Sequence, residues 1–283
     1  MNKLYALLLL TICGWYTTSY AQPFLLKSQT TTPFSLKIYY GSKGKGAFVQ
    51  YSGQKGIIPL LLKSYTHDSI DREHGQPDEQ VYIWDEIVNG KPSGAYSLRE
   101  GLRYITDAWY LRGKDKRRFD LEEQKEKKKY DGVDKYLLHG TLVQFNHYYD
   151  DTLIFRYPYK AVSVLILPEI IQPGGARQSH IADYNFDGYD DVAFSVADAG
   201  SGVYQQFTIY LYNPKYRQFY LLQEPEYNEK ARCSCICDVT VDENKKELKT
   251  SCRGGARWWQ DVWRFKNNQL EWVRSEPPAD PAK

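Results

Sequence analysis

The sequence predicts an all-β protein of two mainly antiparallel β domains, a small barrel or sandwich followed by a β domain with one calcium loop. Three observations carry that prediction. Of 283 residues, 25 are Tyr, 11 Phe and 7 Trp, an aromatic supply that suits half-buried pleated surfaces. Apolar residues recur with period two in many short segments. Turns rich in Gly, Asn and Pro separate those segments at hairpin spacing. The single Met is the initiator, so the core is aliphatic and aromatic and offers no Met-rich adaptable groove.

Residues 1–21 combine Lys3, an apolar run over 4–10 that continues through Ile12, and a small-residue exit at Ser19-Tyr20-Ala21. This is the pattern of a secretory signal peptide cleaved before Gln22. The apolar run is shorter than the ~20 residues that cross a bilayer, so no stable membrane span is expected after cleavage. Leu10-Thr11-Ile12-Cys13 faintly resembles a lipoprotein signal, but Ile12 is bulkier than such a site wants and lipid anchoring is disfavoured. The mature chain is expected to be exported, periplasmic or extracellular. Loss of Lys3 takes the formal charge from +2 to +1, which argues against a nucleic-acid partner.

Residues 22–35 read as a Ser/Thr/Pro-containing lead-in. An N-terminal β domain over 36–121 follows, with strand-like segments at 36–40, 47–51, 57–65, 80–86, 95–98, 105–111 and 118–121. Hairpin turns are expected at 41–46, 52–56, 89–92 and 113–116. The charged stretch 122–136 is too polar to bury a face and reads as a linker, with glutamates among its lysines arguing for a solvated surface rather than a binding patch. A C-terminal β domain over 137–275 carries strand-like segments at 137–146, 152–157, 161–167, 192–197, 207–212, 218–222, 258–265 and 270–273. The Pro-rich residues 276–283 read as a disordered tail. No internal sequence repeat is evident, which disfavours a full propeller.

Four cysteines remain after cleavage, Cys233, Cys235, Cys237 and Cys252, and an even number in an exported chain points to disulfides. A turn at 242–246 that pairs 242 with 247 places Cys237 opposite Cys252, the candidate cross-strand bond. The pairing of Cys233 and Cys235 stays open. A C-x-C-x-C…C zinc site is the alternative, although structural zinc favours C-x₂₋₄-C spacing.

The run Asp183-Tyr184-Asn185-Phe186-Asp187-Gly188-Tyr189-Asp190-Asp191 places oxygen donors at positions 1, 3, 5 and 9 around a glycine. Ca²⁺ takes about six to eight oxygens. Asp183, Asn185, Asp187 and Asp191 supply side-chain oxygens and Tyr189 a carbonyl. Position 12 is Phe194 rather than the Glu of a helix-loop-helix site, which puts the loop in a β setting. The competing reading is an Asp/Asn-rich turn satisfied by its own backbone. Further on, Gly200, Ser201, Gly202 and Tyr204 mark a hairpin mouth where glycines allow close backbone approach to a partner, or simply an ordinary turn. No G-x-S-x-G or paired metal-ligating histidine spacing occurs, and the chain reads as a binding protein rather than an enzyme.

Ser201-Gly202-Val203-Tyr204 resembles the S-G-x-Y motif of periplasmic inhibitors of invertebrate-type lysozyme. Together with the 183–191 loop, the Tyr-Leu-Tyr-Asn-Pro-Lys segment at 210–215 and Arg253-Gly254-Gly255-Ala256 before Trp258, residues 150–275 are similar to calcium-binding periplasmic immunity proteins. The resemblance implies that a lysozyme-like hydrolase is the partner, that Ser201 and Tyr204 plug its cleft, and that Ca²⁺ braces the loop from behind. The cysteine cluster and residues 36–121 lie outside the likeness. The rival reading is a calcium-stabilised adhesion or carbohydrate-binding module that stacks a glycan on Trp258, Trp259 or Trp263, with core packing expected for at least one of them.

Overall fold

The computed structural model describes residues 23–68, 78–101, 104–125, 129–198, 204–227, 229–254 and 257–277. The leader, Gly200, Ser201, Gly202 and most of the tail lie outside those residues. The regular structure of the described residues is antiparallel strand, apart from one 3₁₀ turn at Ser42–Gly44. It forms an eight-stranded closed barrel and three four-stranded sheets.

The barrel comprises β1 Phe24–Ser28, β2 Ser35–Tyr39, β3 Phe48–Tyr51, β4 Ile58–Asp68, β5 Glu79–Val88, β6 Lys91–Gly101, β7 Tyr104–Arg112 and β8 Arg118–Glu123. The expected lead-in is in fact partly structural. Phe24 to Ser28 form the strand that closes the barrel, pairing with β2 through Leu26↔Leu36 and with β8 through Leu26↔Glu123. Closure removes both free edges. It also draws Glu122 and Glu123 into β8, although both look like linker in sequence. The register slips at 62/64, 86/87 and 99/100, the bulges that let long strands curl. Trp84, with no exposed surface, donates Nε1–H to Gly44 O at 2.8 Å. Tyr40 and Tyr82 pack against its ring, centroids 5.4 and 5.2 Å away, in a core that also holds Leu36 and Leu98. Each such aromatic buries about 150–250 Å², worth roughly 4–6 kcal/mol before conformational entropy is charged against it.

The remaining strands run as successive meanders: β9 Val133–Leu138, β10 Thr141–Asn146, β11 Thr152–Arg156 and β12 Val162–Ile166; β13 Gln178–Ala182, β14 Asp191–Ala197, β15 Gln205–Asn213 and β16 Gln218–Leu221; and β17 Thr240–Asp242, β18 Glu247–Gly254, β19 Arg257–Lys266 and β20 Gln269–Glu276. The middle meander is covered on both faces. Val192, Phe194, Tyr212 and Phe219 pack on the first meander's Phe145 and Phe155, while Ala193, Ile209 and Leu211 pack on the third's Leu248 and Trp263. One segment expected as a single strand, 137–146, is split by His139 and Gly140, whose φ of 51° and 79° make the tight turn that hairpins require.

The barrel docks on these sheets through its 41–46 turn. Ile181 N–H donates to Ser42 Oγ at 2.9 Å and Leu137 N–H to Gly46 O at 2.8 Å. Gly46, at φ 62°, sits where an added Cβ would lie 3.1 Å from Tyr136 Cβ.

The cysteine pairing differs from expectation. The bonds are Cys233–Cys252 and Cys235–Cys237, not Cys237–Cys252. The expected register is present at Asp242↔Glu247, but Asp238 takes φ 45° and Ser251 N–H donates to Cys237 O, one residue out of that register. A one-residue slip turns a side chain to the other face. Asp261, fully buried, then fixes the incoming segment by accepting the N–H groups of Arg232 (2.9 Å) and Cys233 (2.7 Å), which sets Cys233 beside Cys252.

Candidate metal loop and recognition edge

The loop between β13 and β14 turns back on itself because Phe186 and Gly188 both take positive φ, 62° and 89°. Its side chains then fold inward onto the backbone. Gly188 N–H donates to Asp183 Oδ2 at 2.7 Å, Asp187 N–H to Asp183 Oδ1 and to Asn185 Oδ1 at 3.1 Å each, and Tyr189 N–H to Asp187 Oδ1 at 2.9 Å. Asp191 differs from the rest. It is fully buried and fastens the loop to the sheet, accepting Tyr184 N–H at 2.9 Å and Tyr212 N–H at 2.7 Å. Neighbours hold the loop from outside: Lys45 Nζ meets Asp190 Oδ1 at 2.5 Å, and His139 lies 2.7 Å from Asp190 O through Nε2 while stacking on Tyr212.

Burial pushes the Asp191 carboxyl up to about 7, against the lowering effect of its two backbone N–H bonds, and Asp187 and Asp183 raise it further. A cation would relieve that repulsion. The donors are hard oxygens, the kind Ca²⁺ takes, and a carboxylate oxygen that accepts one N–H keeps a second lone pair. Among the described residues, however, no three Asp, Glu, His or Cys side chains converge as a metal-binding group. Asp187 is exposed and Asp183, Asn185 and Asp190 are partly exposed, whereas Asp191 is buried against the sheet.

Of the expected partner loop only Tyr204 is among the described residues, and it lies at the other end of β14. β14 spans seven residues, about 20 Å at strand rise, so the 183–191 loop does not back Tyr204. What holds the hairpin base is local. Tyr204 N–H donates to Asp198 Oδ1 at 3.1 Å and Asp198 N–H to Tyr204 O at 2.9 Å. Gln205 N–H donates to Asp238 Oδ1 at 2.8 Å and Asp238 N–H to Gln205 O at 2.9 Å. The Tyr204 ring stands edge-on to Trp258, centroids 6.3 Å apart, and Trp258 remains 38% exposed. Trp263 by contrast is core, 1% exposed, with Nε1–H donated to Thr250 Oγ1.

Asp150 accepts the N–H and hydroxyl of Thr152, and the adjacent Asp151 accepts from Arg177 Nη2 at 2.6 Å. Arg177 is fully buried and also donates to the carbonyls of Asn146, Asp150 and Pro168. His147 is buried between Arg177 O and Asp134. His180 is held by burial down at about 4, beside Ser195 Oγ. Sequence reasoning missed Lys45, His139, Asp198 and Asp238. The first two come from distant turns with no local signal. Asp198 accepts from Tyr204 N–H and Asp238 from Gln205 N–H, partners too far along the chain for a local turn signal to mark either.

No family model and no curated protein matches the chain. Among solved structures, it aligns with a Bacteroides fragilis protein named as a 6-phosphogluconolactonase, at 9% identity over 90% of this chain and 95% of that one, with a TM-score of 0.32. It also aligns with TolB from Acinetobacter baumannii, at 7% identity over 89% of this chain and 65% of that one, with a TM-score of 0.24. At these values neither likeness carries an argument about fold or function.

Proposed function

We propose that the mature chain is an exported, calcium-binding recognition protein that blocks a lysozyme-like peptidoglycan hydrolase by inserting its 200–204 loop, Gly200-Ser201-Gly202 with Tyr204, into the enzyme's cleft. The observation that carries this reading is the pairing of Tyr204, tied at the hairpin base by Asp198, with the half-exposed ring of Trp258. Such an aromatic anchor gives contact area at low entropy cost. The motif order noted in the sequence supplies the partner class. Blocking a cleft needs no catalytic group, only shape and a hydroxyl that reaches the enzyme's carboxylates.

Calcium would be held by Asp183, Asn185, Asp187 and the Tyr189 carbonyl, with Asp191 anchoring the loop to the sheet. Its contribution to recognition is then through the stability of β14 and β15, at a distance, and not through contact with the partner loop. The test is lysis of peptidoglycan by a panel of lysozyme-like hydrolases with the mature protein added. Tyr204→Ala is expected to weaken inhibition at least about 30-fold, the ≥2 kcal/mol of a hot-spot residue, while the far-ultraviolet spectrum is unchanged. Full inhibition by Tyr204→Ala, or none by the parent protein against any member, refutes the reading.

The exposure of Trp258 favours one second reading, a glycan-binding module. Loss of oligosaccharide binding in Trp258→Ala, with Tyr204→Ala still binding, would support it instead.

A further inference from the structure

The two disulfides differ in access and in what they hold together. Cys233 and Cys252 are 2% and 8% exposed and 19 residues apart in sequence. Cys237 is fully buried, but its partner two residues away, Cys235, is partly exposed. The backbone around this second pair is secured without it: Phe207 N–H donates to Ile236 O and Ser251 N–H to Cys237 O, both at 2.8–2.9 Å, and Asp238 exchanges bonds with Gln205. A disulfide between near neighbours closes a small loop and constrains the unfolded chain little. Opening it therefore costs the fold little, and the two sulfurs stay side by side.

From this we propose that Cys235–Cys237 is a thiol-exchange site for low-molecular-weight dithiols, placed at the base of the Tyr204 hairpin. A thiolate of the reagent attacks Cys235 Sγ, on the partly exposed residue of the pair. The Cys235–Cys237 bond breaks, and Cys237 leaves as thiolate and takes a proton. The second thiol of the reagent then attacks the mixed disulfide, forms the cyclic oxidised reagent and releases Cys235, which is protonated. The protein gains two electrons and two protons, and the dithiol loses the same. Attack falls on Cys235 because, of the two residues, it is the partly exposed one and thiol exchange requires access. The inference does not depend on the identity of the protein's partner.

The test is differential alkylation of the native mature protein across a dithiothreitol series, read by peptide mass spectrometry, with tryptophan fluorescence reporting the fold. Cys235 and Cys237 are expected to label at a dithiothreitol concentration at least ten-fold below that which labels Cys233 and Cys252, in folded protein. In a Cys235→Ser, Cys237→Ser double variant, the low-concentration step is expected to vanish and the melting temperature to fall by no more than a few degrees. Labelling of Cys233 and Cys252 first or at the same concentration, labelling only on unfolding, or a large loss of stability in the double variant overturns the proposal.

Discussion

Asp187→Ala tests the proposed calcium site apart from the loop's own hydrogen bonds. In the absence of metal, Asp187 accepts Tyr189 N–H at 2.9 Å and Asn185 Nδ2–H at 3.0 Å, both in the exposed turn. Water replaces such bonds, so their net worth is about 0.5–1.5 kcal/mol each at most. In chelator the variant should therefore lie within about 1–3 kcal/mol of the parent, roughly 2–12 °C in melting temperature for a chain of this size. Calcium at 100 times its dissociation constant adds about 2.7 kcal/mol to a protein that binds it only when folded, about 5–11 °C here. The assay is calorimetry or circular dichroism melting of the mature protein in chelator and in excess calcium. The parent is expected to gain the full increment and Asp187→Ala to gain almost none. A parent protein indifferent to calcium, or a variant that retains the increment, refutes the assignment of Asp183, Asn185, Asp187 and Tyr189 as the site.

His180, lowered by burial from 6.5 to about 4, takes up its proton more readily in the unfolded chain, so the stability it contributes is complete above pH 6.5 and is lost as pH falls toward 4. The loss amounts to about 3 kcal/mol at 1.36 kcal/mol per unit. Urea midpoints for His180→Gln should fall less steeply between pH 7 and 4 than those of the parent, and equal slopes would count against the assignment. Gly46→Ala forces a left-handed residue to carry a Cβ 3.1 Å from Tyr136 Cβ and should cost about 2 kcal/mol or more at the barrel–sheet junction, measured by urea unfolding; a neutral result would mean the junction yields. Arg177→Met removes the donor to three carbonyls and to Asp151 and should destabilise by about 3 kcal/mol, the low end for a broken buried pair because Asp151 can rehydrate. A loss under 1 kcal/mol in the same assay would show that water replaces Arg177.

Strand positions were largely legible because a half-buried strand writes its period into the sequence. Segments such as 36–40, 105–111 and 258–265 lie on β2, β7 and β19 almost residue for residue. The 242–246 turn also gave the right local register, Asp242↔Glu247. The misses differ in range. Phe24 to Ser28 reads as lead-in but closes the barrel on β8, far along the chain, whereas Val133 to Tyr136 sits beside polar neighbours and pairs with the next strand, β10, in a hairpin. The cysteine bonds were misjudged because a left-handed residue, Asp238, shifts the ladder on which the expected pairing rested.

The amino-acid sequence by itself determined the strand class and most turn positions, which are encoded within a few residues. Barrel closure, the stacking of three meanders that share no sequence repeat, and the separation of the 183–191 loop from Tyr204 at opposite ends of β14 were decided by tertiary structure. The physical reason is that strand pairing and face-to-face packing join residues whose separation along the chain carries no local signal. Two segments adjacent in sequence can therefore end a full strand length apart.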